Sequence, residues 1–249
     1  MTDPLGTDAL GTDAPEGPRA AELAGARAAL ERRLVAACAS AGRGRHEVTL
    51  VAVSKTRPAS DAALLVALGQ RDLGESRDQE AAPKALTLAA AGTDVVWHFV
   101  GRLQRNKARS VASYSAVVHS LDRVALAAPL VRGAADAGRT PPVVLVQVSL
   151  DGDPARGGVG PADVAALAGA AADAGLDVRG VMAVAPLGQA PRTAFARLAA
   201  IAADLRREHP AATWISAGMS GDLEAAVAEG ATHVRVGRAL FGSRPPVSH

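Results

Sequence analysis

Cysteine is almost absent from this 249-residue chain: Cys38 stands alone, so neither an intrachain disulfide nor a cysteine-based zinc site can form. A reducing compartment is the natural expectation. Aromatic residues make up only 2% of the sequence, so its 49% hydrophobic content has to pack mainly as Ala, Val and Leu. Neither sign of charge dominates, with 27 basic and 25 acidic residues for a formal +2. A dedicated nucleic-acid binder would carry a clustered excess of Lys and Arg, so no nucleic-acid partner is expected. No run is long and apolar enough to span a bilayer, and no membrane partner is expected. The amino terminus lacks the basic and apolar regions of a secretory signal, which points to a cytoplasmic protein. The six histidines show no metal-ligand spacing, so no metal is expected either.

What is present begins with a duplication. Residues 5–9 and 10–14 both read LGTDA, and Pro15, Gly17 and Pro18 follow. This stretch predicts a disordered tail over residues 1–18 and a single domain over 19–249. A helix is predicted from Arg19 to Ala41, where Leu23, Ala26, Leu30, Leu34 and Ala37 recur at helical spacing before Gly42 and Gly44. Beyond it, short β-branched runs alternate with Ala-rich helical segments. Strands are predicted near 48–54, 72–75, 95–100, 116–120, 143–150, 178–185, 213–217 and 233–237. Strands separated by helices imply parallel pairing, and eight such units fit a closed (β/α)8 barrel of the α/β class, with an extra helix in front. An open doubly wound sheet is the alternative, but VAVSKTRP stands where a Gly-rich dinucleotide turn would be needed.

In such a barrel, function sits at the C-terminal ends of the strands. Lys55 ends the first. Partial desolvation there lowers an amine's pKa and frees the lone pair that attacks an aldehyde, although a surface lysine capping a strand reads the same way. After the seventh strand, ISAGMSGDLEAAVAEG supplies a glycine turn, the hydroxyl of Ser220 and a helix opening near Asp222. After the eighth, VGRALFGS supplies Gly237 and a short helix. Loops in these two places form the usual phosphate cradle of the fold. Plain helix capping by Ser220 or Asp222 is compatible with that role. Arg235 lies inside the last strand, where a charge is expensive unless paired; a ligand and a carboxylate such as Glu75 are equally good partners on the residues alone. A barrel enzyme acting on a phosphorylated sugar or heterocycle remains open at this point.

The chain resembles the pyridoxal phosphate homeostasis protein family, related in fold to the N-terminal barrel of alanine racemase. The resemblance rests on VTLVAVSKT, LGESRDQEAAPK, WHFVGRLQRNK, VHSLDR, VRGVMAV and ISAGMSGDLEAAVAEGATHVRVGRALFG, in order across residues 48–242. It implies pyridoxal 5'-phosphate (PLP) as cofactor, held as a Schiff base on Lys55. It places Arg235 against the pyridine nitrogen, and Ser220, Gly237 and Arg238 on the phosphate, with Met219 beside them. There are two departures. Ser76 stands where the family carries Asn, a shorter side chain on the cofactor side. Arg238 stands where a small hydroxyl is common; it either adds a charge-assisted phosphate bond or points outward.

Arginine at the ring nitrogen only donates, so the ring stays unprotonated and is a weak electron sink. Racemisation tolerates such a ring but needs a second base, and the only tyrosine, Tyr114, falls near a helix between the third and fourth strands. The expectation is therefore a monomeric carrier of PLP without robust catalysis, passing it to PLP-dependent apo-enzymes; the alternative is a weak amino-acid racemase. His98 is read as a satisfied core histidine, His119 as a residue of the barrel mouth, and Met182 as pocket lining or a gap-filler. Arg102, Arg105, Lys107 and Arg109 are read as a solvated helix face, with a docking patch for an acidic partner or RNA as the alternative.

Overall fold

A computed structural model describes residues 16–242. Of the tail expected over 1–18, residues 1–15 lie outside the described residues, and Pro18 already opens the first helix. Residues 243–249 lie outside them as well. The chain runs α1 (Pro18–Ser40), β1 (Thr49–Val53), α2 (Ala59–Ala67), β2 (Asp72–Glu75), α3 (Asp78–Ala90), β3 (Val96–Phe99), α4 (Ala108–Ala112) and β4 (Val117–Leu121). It continues through α5 (Ala127–Asp136), β5 (Val143–Gln147), α6 (Val164–Asp173), β6 (Val178–Met182) and α7 (Pro191–Glu208), then β7 (Trp214–Ser216), α8 (Leu223–Ala228), β8 (His233–Val236) and α9 (Arg238–Phe241). The strands form one closed parallel barrel in chain order. Its seam is the pairing of β1 with β8, which sets Val51 beside Arg235 and Ala52 beside Val236. All eight predicted strands are present, each within a few residues of its expected bounds.

Strand alternation divides the side chains into two environments. Leu50, Ala52, Leu73, Trp97, Phe99, Val118, Val144, Val146, Val181, Ile215, Val234 and Val236 face outward into the aliphatic layer shared with the helices. The composition dictates that layer, because with so few rings available Ala, Val and Leu have to fill it. Proline opens α1 and α7, where its missing N–H costs nothing. Helix α1 buries Leu23, Leu30 and Leu34 against α8 and α9, and so braces the seam from outside.

The lumen is different. Val117, Leu145 and Met182 form a small apolar cluster there, which makes Met182 a buried gap-filler. Most of the remaining interior is polar: His98, His119, His233, Ser216 and Arg235 are all buried. The three imidazoles lie with ring centroids 5.1 to 6.2 Å apart. Aliphatic layers usually fill this space, so the barrel is packed with hydrogen-bonding rings in place of phenylalanines. Each ring therefore needs a partner for both nitrogens, and that requirement shapes the mouth above it.

Candidate functional site

Lys55 stands just beyond β1 and is exposed, without a hydrogen bond or ion pair among the described residues. The turn that carries it is held on both sides. Ser54 is fully buried; its amide donates to Gly74 O at 2.9 Å and its hydroxyl to Glu75 Oε1 at 2.7 Å. Lys84 Nζ donates to Ser54 O at 3.0 Å and forms an ion pair with Glu75. On the other side Thr56 adopts φ +63°, a left-handed conformation that a β-branched residue takes only under constraint. Its amide donates to Glu80 Oε2 at 2.9 Å, and Arg57 N–H closes the turn onto Ser54 O at 3.0 Å. The lysine stem thus leaves a fixed base while its amine stays free.

Arg235 points into the lumen and is 5% exposed. Its Nη1 donates to Ser216 Oγ at 2.5 Å and its Nη2 to Ala183 O at 3.0 Å. No carboxylate touches it, and desolvation pushes its pKa down to about 10 while the more distant Asp222 opposes the shift. The guanidinium stays charged at neutral pH, with three of its five N–H groups left without an acceptor among the described residues. The carboxylate alternative is thereby corrected: Glu75 faces outward into the helix layer and pairs with Lys84. A buried cation this poorly satisfied is costly unless something else accepts from it.

The loops after β7 and β8 meet through Ser220, whose hydroxyl accepts from Ala239 N–H at 3.3 Å. Asp222 occupies the N-cap position of α8 without a side-chain capping bond; its Oδ1 accepts instead from Met219 N–H at 2.6 Å. The amides of Ser220 and Gly221 donate to no carbonyl among the described residues, which leaves them open to an anion. Arg33, on α1, fixes this loop from behind by donating to Ser220 O at 3.1 Å and pairing with Glu224. A Cβ on Gly237 would sit 3.0 Å from Val53 O, so glycine lets the end of β8 lie against the end of β1. Gly237→Ala is expected to cost about 1–2 kcal/mol of stability by prying those ends apart. A urea titration checks this, and an unchanged midpoint would mean that the seam yields freely.

The structure places the remaining predicted residues around this mouth with different weight. Met219 is 40% exposed beside the Ser220 loop. The Arg238 side chain is exposed and makes no bond among the described residues. Ser76 lines a cleft of about 460 Å³ with Arg77, Phe99, Arg102 and Lys107. The basic cluster is no single solvated helix face: Arg109 pairs with Asp136, Lys107 lies 3.7 Å from Asp78, and Arg102 and Arg105 carry no partner among the described residues. Among those residues no group of His, Cys, Asp and Glu is arranged to hold a metal ion.

One expectation about the mouth is overturned. His119 is fully buried inside β4, because the strand runs on to Leu121 through a register shift after Val118. It bonds His98 and Ser216 rather than facing the opening. His98 is the satisfied core histidine expected, held by Asp72 on its other nitrogen. Sequence reasoning missed Ser216, although the alternation of Trp214, Ile215 and Ser216 would have aimed a hydroxyl inward.

A parallel barrel with an exposed lysine just past its first strand and open amides in the loop after its seventh is shared with known proteins. The alanine racemase N-terminal domain family matches residues 26–245. The chain is 43% identical over 243 residues to the pyridoxal phosphate homeostasis protein of Mycobacterium leprae, spanning 91% of this chain and 95% of that one. It is 39% identical over 221 residues to the protein of the same description from Escherichia coli strain K12, spanning 85% and 92%. PipY of Synechococcus elongatus PCC7942, solved with PLP bound, matches with a TM-score of 0.76 at 38% identity, over 88% of this chain and 100% of that one. The chain belongs to the alanine racemase N-terminal domain family and, within it, to the pyridoxal phosphate homeostasis proteins.

Proposed function

We propose that this chain binds PLP covalently through Lys55 and acts in intracellular PLP homeostasis, holding and releasing the cofactor without robust turnover. The observation that carries the reading is Arg235, a buried cation that lacks a carboxylate and keeps unused N–H groups in the barrel interior. A pyridine nitrogen is the kind of neutral acceptor such a donor fits. The free amine of Lys55 fits the cofactor's aldehyde, and the open amides of Ser220 and Gly221 beside Gly237 fit its phosphate. When bound, PLP supplies an aldehyde that forms a Schiff base with an amine. The names of the relatives and the PLP complex of PipY support the same cofactor.

Two features favour holding over turnover. Arg235 donates a hydrogen bond but does not give up its proton, so it leaves a ring nitrogen unprotonated and the ring a weak electron sink. Tyr114, the only tyrosine, is mostly buried, and its hydroxyl donates to Asp78 Oδ1 at 3.3 Å. Burial and Asp78 raise its pKa, so it stays a phenol and is a poor second base. A monomeric cytoplasmic carrier that passes PLP to apo-enzymes completes the proposal, in keeping with the absence of any membrane-spanning helix among the described residues.

The test is to mix the protein with PLP, reduce with borohydride, digest, and map the adduct by mass. Attachment at Lys55 is the expected result. Only Lys84 and Lys107 compete, and Lys84 is buried against Glu75. An adduct at Lys107, or none at all, would sink the reading.

A further inference from the structure

The lumen connects Arg235 to the opposite end of the barrel. Four hydrogen bonds run in series from the guanidinium. Arg235 Nη1 meets Ser216 Oγ at 2.5 Å, and Ser216 Oγ meets His119 Nδ1 at 2.8 Å. His119 Nε2 meets His98 Nδ1 at 2.9 Å, and His98 Nε2 meets Asp72 Oδ1 at 2.9 Å. Ser216, His98 and His119 are buried, while Asp72 opens the N-terminal end of β2 with its side chain 32% exposed. Five elements, β8, β7, β4, β3 and β2, each contribute one member.

With neutral rings and an ionised Asp72, donor and acceptor rules give this series a single direction. Guanidinium has no acceptor, so Ser216 accepts from Arg235; with Asp72 ionised and the rings neutral, Ser216 gives its own proton to His119. His119 Nδ1 then accepts, which leaves its proton on Nε2 and directs it to His98 Nδ1. His98 in turn carries its proton on Nε2 and gives it to the Asp72 carboxylate. With both histidines neutral every link is satisfied in this direction, and burial, with the neighbouring imidazoles and Arg235, holds His119 uncharged well below the usual imidazole range. A proton added to His98 Nδ1 would face the proton on His119 Nε2, and one added to His119 Nδ1 would reverse the Ser216 link.

We propose that Asp72, His98, His119 and Ser216 form a one-way hydrogen-bond chain that positions Arg235, so that the donor at the centre of the barrel is aimed by a carboxylate at its far end. These are positioning residues: none of them faces the mouth, and Ser216 alone touches the arginine. The carbonyl of Ala183 supplies the second fixed point, and two anchors stop the guanidinium plane from turning. Without Ser216 the fork keeps one anchor and can swing toward the vacated side. The inference rests on the reading of Arg235 as the donor to the PLP ring nitrogen, because only then does its aim change binding.

Two measurements on the full chain test it. The first is nitrogen-15 NMR of the histidine rings in PLP-free wild type. Protons on Nε2 of both His98 and His119 are expected, and an Nδ1 proton on either would break the direction of the chain and overturn the proposal. The second compares PLP affinity in wild type, Ser216→Ala and Ser216→Thr, with thermal melts to confirm folding. Ser216→Ala should bind about tenfold more weakly, whereas Ser216→Thr, which keeps the hydroxyl, should stay within about twofold. Equal affinity in all three overturns the positioning role and leaves PLP binding intact. Should wild type take up no PLP at all, the cofactor reading fails instead, and the ring tautomers still decide the chain.

Discussion

Replacing Lys84 with methionine should destabilise the barrel by about 3–5 kcal/mol, the cost of leaving a buried carboxylate without its counter-charge. Glu75 is fully buried and Lys84 nearly so, and they pair between β2 and α3, out of reach of water. Glu75 Oε2 already lacks a partner, so the lysine and Ser54 hold the whole carboxylate through its other oxygen. The lysine also donates to Ser54 O, one residue before Lys55. Losing it both strands a charge and frees the turn that presents the reactive amine. The double substitution Glu75→Leu with Lys84→Met should recover most of the stability, since removing both charges avoids the stranded one. It should not recover a rigid turn, because Ser54 loses the acceptor for its hydroxyl and one of the two donors to its carbonyl, keeping only Arg57 N–H. Urea midpoints for the two singles and the double decide the matter. If Lys84→Met alone unfolds at the wild-type midpoint, the pair contributes nothing to stability.

What was legible in the sequence follows the range of the interactions involved. Each strand shows itself locally, since a β-branched run between Ala-rich helical segments needs no knowledge of its neighbours. Lys55 was legible for the same reason: it closes such a run, and the ends of barrel strands face one mouth. Arg235 was legible as a buried charge by alternation with Val234 and Val236, but not its partners. Ser216 and the Ala183 carbonyl reach it from β7 and from the end of β6, a choice that only barrel closure makes. Glu75 shows the converse error. It shares the barrel with Arg235, yet Leu73 and Glu75 lie on the outward face, and a helix lysine nine residues on takes the carboxylate. His119 was misplaced because a register shift in β4 carries the strand past the expected end, and nothing in VVHSL announces a bulge. The buried histidines were visible as residues; their linkage was not, because each comes from a different strand.

Those histidines make the fold acid-sensitive above the range where carboxylates titrate. His233 is buried against Trp214, with ring centroids 4.5 Å apart, and desolvation pushes its pKa down to about 3. Asp72 opposes that depression, and Arg235 adds a smaller push in the same direction. His119 is likewise held far below its usual value, chiefly by burial. A histidine depressed in the folded state binds its proton more readily when unfolded, at a pKa near 6.5. Its neutral form therefore contributes stability in full above that value, and the contribution is lost as pH falls toward the folded pKa. Each group costs somewhat over 1 kcal/mol per pH unit in that window, so the two together should remove about 3 kcal/mol between pH 6.5 and 5. Over that interval ordinary carboxylates stay ionised, which separates this loss from general acid unfolding. Denaturant titrations at pH 7.5, 6.5, 5.5 and 5 should show a flat upper limb followed by a steady fall. His233→Phe, which keeps a ring against Trp214, should remove about half of the slope between pH 6.5 and 5 whatever it does to stability at pH 7.5, because one of the two titrating groups is gone. An unaltered slope in that variant would mean that His233 is not buried neutral, and the hydrogen-bonded lumen would then rest on His98 and His119 alone.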